Sequence, residues 1–248
     1  MQPALCKSAP SGKPYLSQLV PLVALVREQR FAPAHAGDAF FGRGRDLMSE
    51  TRLPDDRATL RKALKARRRD VSSIERARAA QRVARNVDRH LHLHPGWRIA
   101  IYLSLPSELD TAPLIELARD RHCTVYVPRI DRHALGRKMR FVELTGPRRR
   151  NRLGIHEPEG SHTIGAKWLD VVFLPLVGFD ASGVRLGMGG GYYDRAFAFR
   201  RWRRVWHAPR LIGLAYSFQQ VESLTAAAHD VRLDAVITEE RIVQCAIG

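Results

Sequence analysis

The chain has 248 residues, 45% hydrophobic and 27% charged, with 41 Lys and Arg against 25 Asp and Glu for a formal net charge of +16. That length suits one domain with one sizeable core, and the cationic excess predicts anionic partners: nucleotide, nucleic acid or a carboxylate-rich small molecule. Cys6, Cys123 and Cys245 form no C-x-x-C pair, which excludes a disulfide framework and a zinc knuckle and favours a reducing compartment.

At the N-terminus, Lys7 and Lys13 precede the apolar LSQLVPLVALV, in the outline of a signal peptide. Pro21 breaks that run, Arg27 to Arg30 separate it from the small residues beyond, and it falls well short of the ~20 residues of a membrane span. A cytoplasmic protein with no membrane partner is expected. Residues 1–54 read as an irregular extension, or as an upstream region ahead of a start at Met48, and residues 55–248 as the folded domain.

Past Pro54 the pattern becomes regular. Asp55 and Asp56 can cap a helix from Arg57, with Leu60 and Leu64 on one face and Arg57, Arg61, Lys65 and Arg68 on another. Ser72 or Ser73 can cap a second basic helix to about residue 93. His90, His92 and His94 at its end align only His90 with His94, with no third ligand in view. WRIAIYLSL then reads as a strand, TAPLIELARDR as a helix, CTVYVPRI, MRFVELT and LDVVFLPLV as strands, YYDRAFAFRRW as a helix, and RLIGLAYS and LDAVIT as strands. This alternation predicts an α/β fold with a mainly parallel sheet flanked by helices, and ligands at the carboxyl ends of the strands.

RLGMGGGYYDR, Arg185 to Arg195, is the most informative stretch. Gly187, Gly189, Gly190 and Gly191 can take φ > 0 and bring backbone N–H groups onto an anion. A strand before and a helix after would add the helix N-terminus to that site, and Asp194 is a candidate Mg²⁺ ligand. The bland alternative is a tight glycine turn. Neither a Walker loop nor G-x-G-x-x-G fits, because Tyr192 follows Gly191.

The wider segment LPLVGFDASGVRLGMGGGYYDR resembles the signature of the 5-formyltetrahydrofolate cyclo-ligase family, also called 5,10-methenyltetrahydrofolate synthetases. LRKALKARRRDVS, YLSLPSELDTAPLIE, NRLGIHEP and HDVRLDAVIT resemble further blocks of that family in the same order, across roughly residues 57 to 240. The resemblance implies a Rossmann-like three-layer sandwich similar to sugar-phosphate isomerase and CoA-transferase-like folds. It also implies an enzyme that uses ATP and Mg²⁺ to close 5-formyltetrahydrofolate into 5,10-methenyltetrahydrofolate, through an N5 iminium phosphate, with release of ADP and phosphate.

By the same resemblance, Arg57, Arg61, Arg185, Gly187, Met188, Gly189, Gly190, Gly191, Tyr192 and Tyr193 hold ATP. Tyr192, Tyr193 and Arg185 act at the reaction centre, Asp194 and Asp230 hold Mg²⁺, and Leu103, Glu108, His156 and Pro158 line the folate side. Glu108 would take the pterin's paired N–H donors; read from the residues alone, it is a helix-start carboxylate beside the better cap Asp110. Some members carry Lys or Arg in the glycine loop, where this chain has Met188 and Gly190. The folate, with or without a polyglutamate tail, satisfies the charge without nucleic acid, and a monomer is expected. Two rivals remain open: RNA binding through RRR at 148–150 and RRWRR at 200–204, with Trp202 and Trp206 stacking on bases, and an ATP-independent sugar-phosphate isomerase.

Overall fold

The computed structural model describes residues 57–130, 138–145, 148–150, 156–158, 162–202 and 208–245, with the backbone alone at 148–150 and 156–158. Residues 1–54, Asp55, Asp56 and Trp206 lie outside the described residues.

Helix α1 (Arg57–Asp70) buries Leu60, Leu64 and Arg68. Helix α2 (Ser73–Leu91) opens on a capping box. Glu75 N–H donates to Ser72 Oγ at 3.2 Å and Ser72 N–H to the Glu75 carboxylate at 3.0 Å, so the cap is Ser72. Strand β1 (Arg98–Ile101) is shorter than the expected run because Tyr102 turns out of the ladder: Thr111 Oγ1 donates to Tyr102 O at 2.8 Å and Tyr102 OH to Leu109 O at 3.3 Å. Helix α3 (Ala112–Asp120) follows, its first N–H donating to Asp110 Oδ1 at 3.0 Å, so Asp110 caps it from one residue before the Thr111 position.

The chain continues through β2 (Thr124–Ile130), β3 (Met139–Glu143), β4 (Arg148–Arg150), β5 (His156–Pro158), β6 (Thr163–Ile164), β7 (Val171–Pro175), β8 (Gly178–Phe179) and β9 (Arg185–Leu186). It ends with helix α4 (Tyr192–Ala196), a 3-10 turn at Ala198–Trp202, β10 (Arg210–Leu214), β11 (Ala235–Ile237) and β12 (Ile242–Gln244).

The main sheet runs β12-β11-β10-β7-β1-β2-β3-β6. Its centre, β11 to β2, is parallel, as the alternation predicted, and β12, β3 and β6 add antiparallel edges. Val171 to Leu174 are all buried because both faces of the central strands are covered. Ile99, Ile101, Val171, Phe173, Ile212 and Leu214 point to the face packed by α2 and α3. Ala100, Val172, Leu174, Leu211 and Val236 point to the other. That second face departs from the expected helical layer: Phe197, Leu169 and Leu233, from a short helix and loops, cover it.

Two corrections bear on the site. A hairpin, β8 paired to β9, stands between β7 and the glycine loop, so the loop follows β9 rather than the buried strand directly. The helix after it is one short turn, because the chain tightens into the 3-10 turn at Ala198. Buried Asp180 organises this region: Oδ1 accepts Ser182 N–H and Val184 N–H at 2.9 and 3.1 Å within the hairpin, and Oδ2 accepts Leu224 N–H at 2.9 Å. The hairpin and the 224–231 loop are thereby fixed to each other.

Gly183 closes that turn at φ +84, where an added Cβ would sit 2.6 Å from Leu233 O and 2.9 Å from Cys245 Cβ. Gly96 has nearly the same φ, +80, and open space. Gly96→Ala is expected to cost about 1 kcal/mol for the left-handed backbone alone, and Gly183→Ala about 2 kcal/mol more for the overlap. Urea unfolding of both variants measures the difference.

Candidate active site

Of the four loop glycines, Gly189 (φ +96) and Gly191 (φ +61) have the positive φ expected of them, and Gly187 and Gly190 do not. A Cβ at Gly187 or Gly189 would meet no protein atom within 4 Å, so the loop's open side faces space. Met188 between them is 52% exposed. The loop borders a cleft of about 370 Å³, lined also by Asp194, Arg195, Arg201 and His229, within the size range of small-ligand sites. Because α4 has only five residues, its dipole adds little here, and the positive field comes from arginines instead.

Arg57 and Arg61 project from α1 onto this loop. Arg57 Nη1 donates to Thr225 O at 2.8 Å and to Asp230 Oδ2 at 3.4 Å, and Nη2 donates to Arg185 O at 3.4 Å. Arg61 Nε donates to Gly187 O at 2.8 Å. Arg185, on β9, is buried; its Nη1 donates to Val231 O and its Nη2 to Asp194 Oδ1 at 2.5 Å. Val231 N–H donates to the same Oδ1 at 3.1 Å. Asp230 Oδ2 also accepts Ala227 N–H at 3.0 Å. Arg57, Arg61, Arg185, Asp194 and Asp230 therefore form one connected cluster around the loop, with each aspartate facing an arginine.

Tyr192 opens α4 with its ring under Arg195, 5.1 Å from the guanidinium carbon, while Arg195 Nη2 donates to Gly190 O at 2.8 Å. Tyr193 stacks on Phe197 with centroids 6.4 Å apart. Burial first, and then the negative charge of Glu108, push its hydroxyl well above the usual tyrosine range, with Arg185 opposing. Glu108 follows β1 and the glycine loop follows the hairpin after β7, and because β1 and β7 are parallel neighbours both emerge at one edge of the sheet.

Glu108 is buried in the loop after β1, and Leu105 N–H donates to its Oε2 at 3.1 Å. Burial raises its pKa, against the lowering effects of that hydrogen bond, Arg68 and Lys65. Leu103 packs half-buried against the first core cluster. His156 and Pro158 lie on β5, paired to β4, and their side chains lie outside the described residues.

The structure adds residues that the sequence reading passed over. Arg195 and Arg201 line the cleft, and Arg201 Nη1 donates to Ala228 O at 3.0 Å. Arg195 sits at i+1 of Asp194 and Arg201 in RRWRR, so only a turn from α4 into the 3-10 segment could have revealed that both face the loop. Arg68, which the helical spacing puts on one face with Arg57, Arg61 and Lys65, is buried against Leu176, Ser107 and Glu108.

The model of the 5-formyltetrahydrofolate cyclo-ligase family matches residues 54–239. The 5-formyltetrahydrofolate cyclo-ligase of Haemophilus influenzae is 33% identical over 182 residues, 71% of this chain and 94% of that protein. That of Escherichia coli K12 is 33% identical over 183 residues, 72% and 98% of the two chains. Among solved structures, the 5,10-methenyltetrahydrofolate synthetase of Aquifex aeolicus superposes with a TM-score of 0.65 at 27% identity, covering 77% of this chain and 94% of that one. The synthetase of Mycoplasma pneumoniae gives 0.58 at 26%, covering 74% and 99%.

Two outcomes follow from the buried charges. Asp194→Asn keeps an acceptor for Val231 N–H but leaves Arg185, whose side chain is 6% exposed, without its counter-charge; stability is expected to fall by about 3 kcal/mol in urea unfolding. Because the Glu108 carboxyl holds its proton more tightly folded than unfolded, the folded state binds more protons in that window, and stability falls as pH rises through it. The stability of wild type relative to Glu108→Gln should therefore be greatest at low pH and decline above the usual carboxylate range, as paired urea titrations at pH ~4 and ~7 would show.

Proposed function

The chain belongs to the 5-formyltetrahydrofolate cyclo-ligase family, and from that premise we propose that it converts 5-formyltetrahydrofolate to 5,10-methenyltetrahydrofolate at the expense of ATP. The observation that carries this reading is the gathering of arginines around the open glycine loop: Arg57, Arg61 and Arg185 hold its backbone and its aspartate, and Arg195 and Arg201 line the cleft that the loop and Asp194 border. A cluster of guanidiniums beside exposed backbone is suited to polyphosphate. Ligands would enter at the carboxyl ends of the parallel strands, as in a Rossmann-like sheet.

The donor set fits Mg²⁺. Asp194 takes both of its contacts on Oδ1, so among the described residues Oδ2 accepts no hydrogen bond. No described group of three or more His, Cys, Asp or Glu could hold a metal alone, which matches an ion carried on nucleotide and held by only one or two carboxylates. Asp194 and Asp230 would hold it, and when bound it would offset charge on the phosphates.

In this reading the formyl oxygen attacks the γ-phosphorus and ADP leaves, giving an N5 iminium phosphate. N10 then closes on the formyl carbon and gives up its proton, the C–O bond breaks as phosphate departs, and the methenyl bridge remains. Phosphoryl transfer of this kind asks the protein for positioning and charge neutralisation. Arg57, Arg61, Arg185 and the N–H groups of residues 187–191, Met188 included, hold the phosphates. Tyr192 and Tyr193 order the reacting ring. Glu108 accepts the pterin's N–H donors, Leu103 gives it an apolar wall, and His156 and Pro158 line the folate side, with or without further glutamates. A cytoplasmic monomer is the state in which this reaction is expected.

The test is the absorbance of methenyltetrahydrofolate formed by the full chain from 5-formyltetrahydrofolate and MgATP. ATP-dependent signal is expected, reduced about 100-fold or more in Asp194→Ala assayed where it remains folded. Gly187→Ala should change stability by no more than about 0.5 kcal/mol, since its Cβ enters open space, while raising the KM for ATP. No signal from folded wild type, or signal without ATP, overturns the assignment.

A further inference from the structure

Arg68 stands on the same helix as Arg57 and Arg61 but does not reach the glycine loop. It is 4% exposed. Its Nη1 donates to Leu176 O at 3.2 Å and its Nη2 to Ser107 Oγ at 3.4 Å. Nε is buried and without a hydrogen-bond partner among the described residues. Among the described residues it pairs with one carboxylate, Glu108, whose Oε1 lies 3.9 Å from Nη2, beyond hydrogen-bond length.

A buried guanidinium ordinarily saturates itself on a carboxylate in a close, two-pronged pair. Here the two charges are held apart. The cation is fixed by a backbone carbonyl and a hydroxyl, and the anion spends only Oε2, on Leu105 N–H. Among the described residues Oε1 accepts no hydrogen bond, and it is not one of the unpartnered atoms fully shut off from solvent, so it stays open to an incoming donor. A closer pair would be more stable and would block the carboxylate.

We propose that Arg68 is a positioning residue for substrate: it holds the Glu108 carboxylate in place by charge at a distance, leaving Oε1 open to the N–H donors of the folate's pterin. This rests on the reading of Glu108 as the pterin acceptor. The groups facing Glu108 are Arg68 and Lys65 from α1, Tyr102 at the end of β1 and Tyr193 from α4. Of the two cations, Lys65 is half-exposed and screened, whereas Arg68 is not. Arg68 is therefore the less screened of the two charges that oppose burial and favour the accepting form of the carboxyl.

Steady-state kinetics of the full chain, with each substrate varied in turn across pH, test this with Arg68→Met, Arg68→Lys and Glu108→Gln. Arg68→Met is expected to lower kcat/KM for the folate about 10-fold or more, to leave the KM for ATP in place, and to move the acid limb of the folate profile to higher pH. Arg68→Lys should return that limb toward wild type, and in a Glu108→Gln background Arg68→Met should add little further loss. A change in both substrates' KM with an unmoved acid limb, or an undiminished effect of Arg68→Met in the Glu108→Gln background, would show a mere strut and overturn the inference. If Arg68→Met does not fold, Arg68→Gln takes its place, with the same results supporting or overturning the proposal. If Glu108→Gln leaves the folate KM unchanged, the assignment of Glu108 itself fails, and the inference with it; if that KM rises while Arg68→Met leaves the limb still, the inference alone fails.

Discussion

Arg185 and Asp194 are nine residues apart in sequence and 2.5 Å apart in space, nearly removed from water. Between them runs the glycine loop, which has little side chain of its own to pack and would otherwise be free to collapse. Arg185 also donates to Val231 O, and Asp194 accepts Val231 N–H, so one ion pair clamps three segments: strand β9, helix α4 and the loop that carries Asp230. Charges so buried are costly to bring out of water, and the attraction offsets that cost only while both partners and their backbone contacts are kept. The shape of the loop therefore depends on a pair lying at its two ends.

Around that clamp, each layer of the fold has a recognisable part. The parallel centre of the sheet sends the ends of β1 and β7 to one edge, where Glu108 and the hairpin β8/β9 emerge. Helix α1 lies across that edge on the small cluster of Leu60, Leu64, Val177, Leu186 and Val221. Gly178 allows the approach, since a Cβ there would lie 2.7 Å from Leu64 Cδ1. From that seat α1 reaches the glycine loop with Arg57 and Arg61 and the Glu108 loop with Arg68. Leu176 O, where the strand edge turns into the hairpin, accepts both Arg68 and the buried amide of Gln219.

What could be read in advance followed from local chemistry. The second helix was legible in the pair Ser72 and Ser73, between which the Glu75 contacts decide, the central strands in the apolar run from Val171, and the glycine loop in its composition. The short hairpin was not, because Gly178, Phe179, Arg185 and Leu186 are too few to show a period, and its stability comes from Asp180 binding backbone across the turn. The α1 stripe was misjudged in one respect for a similar reason. Arg57, Arg61 and Arg68 share a spacing, and only tertiary packing decides that Arg68 is buried while the others reach the backbone of Arg185 and Gly187. Likewise, α4 looked longer than it is because the aromatic residues after Ala196 serve the sheet's second face: Phe197 is pulled into the core beside Phe141.

The arginines around the glycine loop and its cleft already have occupations. Arg61, Arg195 and Arg201 rest on the carbonyls of Gly187, Gly190 and Ala228, neutral acceptors that water can replace. Arg57 rests partly on the Asp230 carboxylate. A guanidinium that turns from a carbonyl to an incoming anion leaves nothing charged behind, whereas one that turns from an aspartate leaves a negative charge that calls for a cation. The cleft thus behaves as an ion exchanger with its own counter-ions built in, best suited to a ligand that brings both signs of charge together.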